Sequence, residues 1–225
     1  MGQLLLNLAV GIFASLISAV IIFLTATWRS KVVRRALTSV ASTFLGTQLR
    51  YVFSNGKDAE ATIVQELDES SRVRIFAGRG LQFQESLYAP LLHGEPALNR
   101  NVQVLLPNPD LSSNGPDWIV HRENELSRVD KSFGNEMLRK QIRTSIEFDL
   151  THQHDEHFKL RLYDTPHIGR IIITDQSVFF TPYSAIKHGR DCRVFHYGTG
   201  DIYENYARFF DMLWEASVEA SLPSS

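Results

Sequence analysis

Cysteine is almost missing from this chain: Cys192 is the only one in 225 residues. A lone thiol closes no internal disulfide, and a Cys-rich zinc module is excluded. That fits a reducing compartment. An excess of charge of either sign is missing too, with Lys+Arg 23 against Asp+Glu 25 and a net charge of -2. A globally basic nucleic-acid binder is therefore excluded, and only a local basic patch remains open to that role. Glycine and proline are not in excess, at 13 and 8, and the chain is 44% hydrophobic and 21% charged. Disordered, collagen-like and low-complexity classes are thereby excluded. No internal repeat is visible. The sharpest absence is local: from Met1 to Trp28 there is no charged side chain.

That stretch holds the apolar run from Leu4 to Leu24, LLLNLAVGIFASLISAVIIFL. About 20 such residues in a helix span a hydrocarbon layer of about 30 Å, and a helix satisfies its own backbone in lipid. Arg29, Lys31, Arg34 and Arg35 follow directly. Cations beside one end place that side in the cytoplasm, with Trp28 at the interface. A cleaved signal peptide is the rival reading, but a basic leading region and a good cleavage site are both lacking. Gly11, Ser15 and Ala19 fall four apart, as do Ala14 and Ser18. Small residues at that spacing let membrane helices approach closely, so a homodimer is an expectation.

Residues 1–28 are thus expected to be a transmembrane anchor, 29–56 a juxtamembrane helix or linker, 57–218 a cytoplasmic α/β domain and 219–225 a tail. Lys31 to Leu49 carries helical apolar spacing. Within the domain, helices are expected over Asp58–Leu67, Leu81–Leu92, Trp118–Arg128 and Phe133–Leu150. Strands are expected over Val73–Ala77, Val102–Leu106 and Phe158–Tyr163, with a hairpin from Arg170 to Tyr183 and a last strand at Arg193–Tyr197. Asp201 and Glu204 have the spacing of a capping box at the start of a final helix. The fold class is α/β, a mixed sheet with helices on both faces.

The segment Thr165-Pro166-His167-Ile168-Gly169-Arg170-Ile171-Ile172-Ile173-Thr174-Asp175 precedes a hairpin. A helix with Tyr206, Phe209, Phe210 and Trp214 comes after it. With the element order over residues 58–216, this resembles one half of the phospholipase D superfamily fold. That family carries His, any residue, Lys, four residues and Asp, and its active members use the His as nucleophile. With Asp175 in the family's Asp position, Arg170 stands where the Lys belongs, Ile168 falls on the His position, and His167 lies one residue early. Strand side chains alternate faces, so His167 points away from Arg170 unless a bulge intervenes. Arginine still binds phosphate through its planar fork. Val104 to Asp110, followed by Arg122 and Glu123, is also similar to degenerate phospholipase-D-like domains of bacterial regulators, which bind or sense rather than cleave.

The resemblance implies a site at Arg170 and Asp175. Gly78-Arg79-Gly80 adds backbone N–H groups between a strand and a helix, a place suited to an anion or to a plain tight turn. Asn108, Arg122 and Tyr183 complete the candidate ligand-binding set, and His167 is the candidate catalytic residue. Tyr183, Lys187, His188, Arg190 and Arg193 form a basic, partly aromatic loop that suits anionic lipid, nucleic acid or plain solvent. His152 to His157 is dense in ligand-type residues but lacks metal-site spacing, and it reads as a solvated connector. No cofactor and no metal are expected. The leading expectation is a membrane-anchored, non-catalytic sensor or effector for a phosphate-containing small molecule or nucleotide, in a bacterial signalling or defence setting. The alternatives are a dimeric phosphodiesterase, nuclease or phospholipase, using His167, and a structural membrane adaptor.

Overall fold

In the computed structural model the described residues are 17–18, 40, 46, 48–80, 100–110, 117–151, 157–166 and 168–221. Contacts divide the chain into two units, Met1–Gly46 and Thr47–Ser225. Nearly all of the expected anchor and juxtamembrane helix, the expected helix Leu81–Leu92, the stretch 152–156, His167 and residues 222–225 lie outside the described residues. Among the described residues no helix is long and apolar enough to cross a membrane.

Alternating side chains build the sheet. Its strands are β1 (Leu49–Phe53), β2 (Arg72–Phe76), β3 (Asn101–Pro107), β4 (Phe158–Tyr163), β5 (Gly169–Ile173), β6 (Ser177–Pro182), β7 (Val194–Gly198) and β8 (Val218–Glu219). Among the described residues they form one sheet in the order β1-β7-β6-β5-β2-β3-β4-β8. Strands β2, β3 and β4 run parallel, while β5 pairs antiparallel with β2. Every residue of β5 is buried, as a central strand requires.

Helices cover both faces, as the composition of the strands demands. On one face lie α1 (Gly56–Asp68), α2 (Trp118–Ser127) and α3 (Met137–Thr151); on the other lies α4 (Asp201–Ala216). Ala59, Ile63 and Leu67 of α1 recur at four-residue spacing and pack with Ile75, Val104, Leu106 and Ile142. Tyr203, Ala207 and Phe210 of α4 pack with Phe76, Leu105, Ile171 and Ile173. The mixed sheet flanked by helices is therefore the architecture of this unit.

Local chemistry sets the helix ends. Asn55 caps α1, its side-chain oxygen accepting from the Asp58 N–H at 3.0 Å. Asp117 caps α2 by accepting from Ile119 and Val120 N–H at 3.0 and 3.2 Å. Three boundaries differ from the sequence expectation. Helix α3 starts at Met137, not Phe133, because Gly134, Asn135 and Glu136 take φ of 157°, 53° and 63°, outside the right-handed helix. The cap of α4 is Gly200 at φ 137°, with no side-chain cap bond, so Asp201 and Glu204 serve as first-turn acids on the helix dipole. Leu49–Phe53, read as linker, is a strand that pairs antiparallel with β7.

A polar cluster ties α1 to the sheet. The Glu66 carboxylate accepts from Ser177 Oγ at 2.8 Å, Thr174 Oγ1 at 3.3 Å and Arg50 Nη1 at 3.4 Å. It also lies 3.2 Å from His196 Nε2. His196 is buried and stacks on Phe179 with ring centroids 4.3 Å apart. Burial alone would raise the Glu66 carboxyl, but His196, Ser177 and Arg50 outweigh it and hold it below its ordinary 4.5. Its contribution to stability is therefore present above that value and is lost as pH falls through the lowered folded value. Thermal melts of the protein should lose stability on acidification below about pH 4.5, and Glu66→Gln should flatten that limb while costing about 1–3 kcal/mol near neutral pH. An acid limb left unchanged by Glu66→Gln would contradict this.

Candidate functional site

Parallel pairing puts the carboxyl ends of β2, β3 and β4 at one edge of the sheet. Strand β5 runs the other way, with Phe76 opposite Ile171, so it begins where β2 ends. Strand β6 returns antiparallel, with Arg170 opposite Thr181 and Gly169 opposite Pro182. Arg170 and Tyr183 are thereby delivered to the edge where Gly78-Arg79-Gly80 leaves β2. Open α/β sheets bind ligands beyond the carboxyl ends of their parallel strands.

Contacts at this edge join residues far apart in sequence. The Gly78 N–H donates to the Tyr183 hydroxyl oxygen at 3.4 Å, and the Tyr183 N–H donates to the Ile168 carbonyl at 3.0 Å. Arg122, on α2, stands over the Tyr183 ring with its guanidinium carbon 5.4 Å from the centroid. Its Nη1 donates to Glu125 Oε2 at 2.7 Å and to the Ser184 carbonyl at 3.0 Å. That bond to Arg122 is the main reason the Glu125 carboxyl lies below its ordinary value. Arg79 donates to Gln141 Oε1 at 2.8 Å and lies over the Phe133 ring at 5.5 Å. Phe133 in turn meets His188, whose Nε2 is 3.3 Å from Asp130 Oδ2.

Arg170 is buried, 4% exposed, on the sheet face that carries α1. Its Nη2 lies 3.5 Å from Thr181 Oγ1. A Cβ built on Gly56 would sit 3.7 Å from the same Nη2 and 3.2 Å from the Arg190 carbonyl oxygen. The guanidinium thus reaches the amino end of α1, and a Cβ at position 56 would press closely on the 190 backbone. Tyr163, fully buried at the end of β4, donates to the Ala77 carbonyl at 3.1 Å. Burial first, and Tyr183 second, push its phenol well above the ordinary 10.0, so it acts as a neutral donor that fixes the edge.

The remaining candidates divide. Asn108 belongs to this edge: its N–H donates to the Tyr163 carbonyl at 2.9 Å, while its side chain accepts from the Asp110 N–H at 2.9 Å. Gly80 has φ 75°, and a Cβ there would meet Ser145 at 3.0 Å and Leu106 at 3.1 Å, so it is a tight-turn glycine under α3. Asp175 lies at the opposite end. The hairpin turn carries it to the start of β2, where it accepts from Ser71 N–H at 2.7 Å and Ser71 Oγ at 2.8 Å. Asp175 is five residue steps from Arg170, about 16 Å at about 3.3 Å per step. Burial would raise its carboxyl, but Ser71 and Arg72 hold it below its ordinary 3.8. Phe133, Gln141 and Thr181 join the site without a sequence signal beyond residue type, while His188 comes from the basic loop. Among the described residues no three His, Cys, Asp or Glu side chains are grouped to hold a metal ion.

No protein-family profile matches the chain, and no curated protein matches it in sequence. Solved structures are similar to it at low identity. One is TrmBL2, an archaeal chromatin protein described as showing a novel mode of DNA binding: TM-score 0.44, 14% identity, over 92% of this chain and 68% of that one. Another is Nuc of Salmonella typhimurium, a phospholipase D family member: TM-score 0.42, 12% identity, over 76% and 97%. A third is NucT from Helicobacter pylori: TM-score 0.42, 13% identity, over 73% and 92%.

The edge yields a packing prediction. A Cβ on Gly189 would lie 2.8 Å from Tyr183 Cε1, inside van der Waals contact, so Gly189→Ala must move the Tyr183 ring. Overpacking of this kind costs about 1–3 kcal/mol. The variant should melt several degrees lower, with a changed tyrosine near-ultraviolet signal. An unchanged melt and signal would show that Tyr183 is not wedged against the loop.

Proposed function

We propose that this protein is a membrane-anchored, phospholipase-D-like α/β domain that binds a phosphate-containing anion at the carboxyl edge of β2, β3 and β4 and senses it rather than cleaving it. The observation that carries the reading is the convergence of Arg79, Arg122 and Arg170 on one sheet edge, beside Tyr183 and the Gly78-Arg79-Gly80 turn. Guanidinium groups held by neighbouring side chains present directed donors to phosphate oxygens. The amino end of α1 beside Arg170 adds a positive dipole end to the same region. The anchor rests on the apolar run from Leu4 to Leu24 and the four cations that follow it.

The non-catalytic part of this reading is supported by the register of the motif. Arg170 points to the α1 face, as does Ile172, whereas Ile171 and Ile173 point to α4. In the sequence His167 stands three residues before Arg170, where the family motif spaces its His and Lys by two, so residue 168 takes the His position. Residue 168 is isoleucine. A nucleophile displaced by even about 1 Å loses most of its advantage, so binding outlasts chemistry here.

Calorimetry on the full chain in detergent, with inorganic phosphate, nucleotides and short DNA as probes, tests this directly. Arg170→Ala should weaken binding by about ten- to a hundredfold, the equivalent of about 1.5–3 kcal/mol for charged hydrogen bonds. Arg170→Lys should keep part of it, and His167→Ala should leave both binding and any background hydrolysis unchanged. Hydrolysis that disappears in His167→Ala would favour the dimeric phosphodiesterase reading instead.

A further inference from the structure

The hairpin β5–β6 does not stop at the sheet edge. The Tyr183 N–H bond to the Ile168 carbonyl continues the ladder outward, and the chain then folds into a tight turn closed by a bridge between Ser184 and Lys187. Ile186 stands on that turn with 73% of its surface exposed, and Ile168 beside the base is 62% exposed. Scattered exposed apolar residues are ordinary, as Met212 on α4 illustrates. Ile186 differs in being carried on a hydrogen-bonded turn. Ile186 N–H donates to Ser184 Oγ at 3.3 Å, and Arg122 Nη1 holds the Ser184 carbonyl at 3.0 Å from beneath.

The chemistry around the tip is cationic. Lys187, Arg190 and Arg193 follow within the same loop and are exposed. The acids that face them are Asp191, which is 3.9 Å from Arg190, and Asp130, which is 3.3 Å from His188. Asp164 is exposed on the connection leading to Ile168. From Tyr183 to Arg193 the lysine and arginines number three against the single acid Asp191. An exposed isoleucine on a cation-rich loop matches the apolar interior and negative headgroups of an anionic bilayer, with long side chains reaching back to the surface.

We propose that the Ser184–Lys187 turn, with Ile186 at its tip and Ile168 at its base, is a membrane-contacting surface that inserts into an anionic bilayer. This goes beyond the anion-site reading and does not depend on it. The turn gives the domain a second hold on lipid, separate from the apolar segment at residues 4–24. Because Arg122 holds both this turn and the Tyr183 ring, membrane contact and the sheet edge share a side chain.

The test uses the full chain with Cys192→Ser and Ile186→Cys, labelled with an environment-sensitive dye and mixed with vesicles of neutral phosphatidylcholine or with added phosphatidylserine. The same dye at Met212→Cys is the reference. At position 186 the emission should shift to the blue and be quenched at least twofold by brominated acyl chains in the anionic vesicles. Raised salt and Lys187→Glu with Arg193→Glu should reverse this, and the dye at 212 should report water throughout. A dye at 186 that behaves like the one at 212 overturns the proposal, as does protection from aqueous quenchers without bromine quenching, which would report a protein contact. Quenching of equal size in neutral vesicles overturns the anionic part. Flotation of the chain with vesicles reads the anchor independently, and an unchanged dye signal in Arg170→Ala separates this surface from the anion site.

Discussion

The parallel pairing of β2 with β3 and of β3 with β4 is the constraint on which the rest of the domain depends. Parallel strands end at one edge, and their connections must leave and return on the faces of the sheet. A single antiparallel neighbour, β5, then does what no parallel strand could do. It starts at that edge, so the first side chains of its sequence, Arg170 among them, arrive beside the last residues of β2. Strand β6 ends there for the same reason and brings Tyr183. The gathering of arginines at one edge is therefore a consequence of strand direction, and no long-range contact between the arginines is needed to produce it.

The two ends of the sheet do different physical work. At the end away from Arg79, Arg122 and Arg170, carboxylates are consumed by structure. Glu66 joins α1 to β7 and to the β5–β6 turn, and Asp175 joins that turn to the start of β2. Both carboxyls are held below their ordinary range, so the folded chain favours them charged. At the other end the polar groups surround the strand ends themselves. Tyr163 and Tyr183 brace the backbone at Ala77 and Gly78, and Arg79 and Arg122 lie across aromatic rings. Helix α1 connects the ends, since its last turns carry Glu66 and its first residue lies against Arg170 and Arg190.

Much of this was legible in the sequence, where the signal was local. The alternation of Phe158 to Tyr163, the buried run at β5 and the four-residue spacing in α1 give strands and helix directly. The site was partly legible through the arginine in the lysine position and the glycines after β2. Failures came where a distant partner decides. Leu49–Phe53 has no strong period and becomes a strand only by pairing with β7, nearly 150 residues later. Phe133 reads as the start of α3, yet the positive-φ residues after it delay the helix to Met137. Asp175 is adjacent to the motif in sequence and remote from Arg170 in space, because a strand converts five residues into distance. The contacts of Phe133 with Arg79 and of Asp130 with His188 span separate elements and leave no trace in spacing.

Arginine side-chain resonances report the central claim at the level of single groups. Nε–Hε signals of the full chain in detergent, assigned by substitution, would be followed as inorganic phosphate is added. The account predicts saturable shifts at Arg79, Arg122 and Arg170. Arg74, paired with Asp211, and Arg100, held by the Ser70 and Asp68 carbonyls, should be unmoved. Shifts confined to Arg74 and Arg100, or a uniform drift without saturation, would contradict an anion site at the carboxyl edge of the parallel strands.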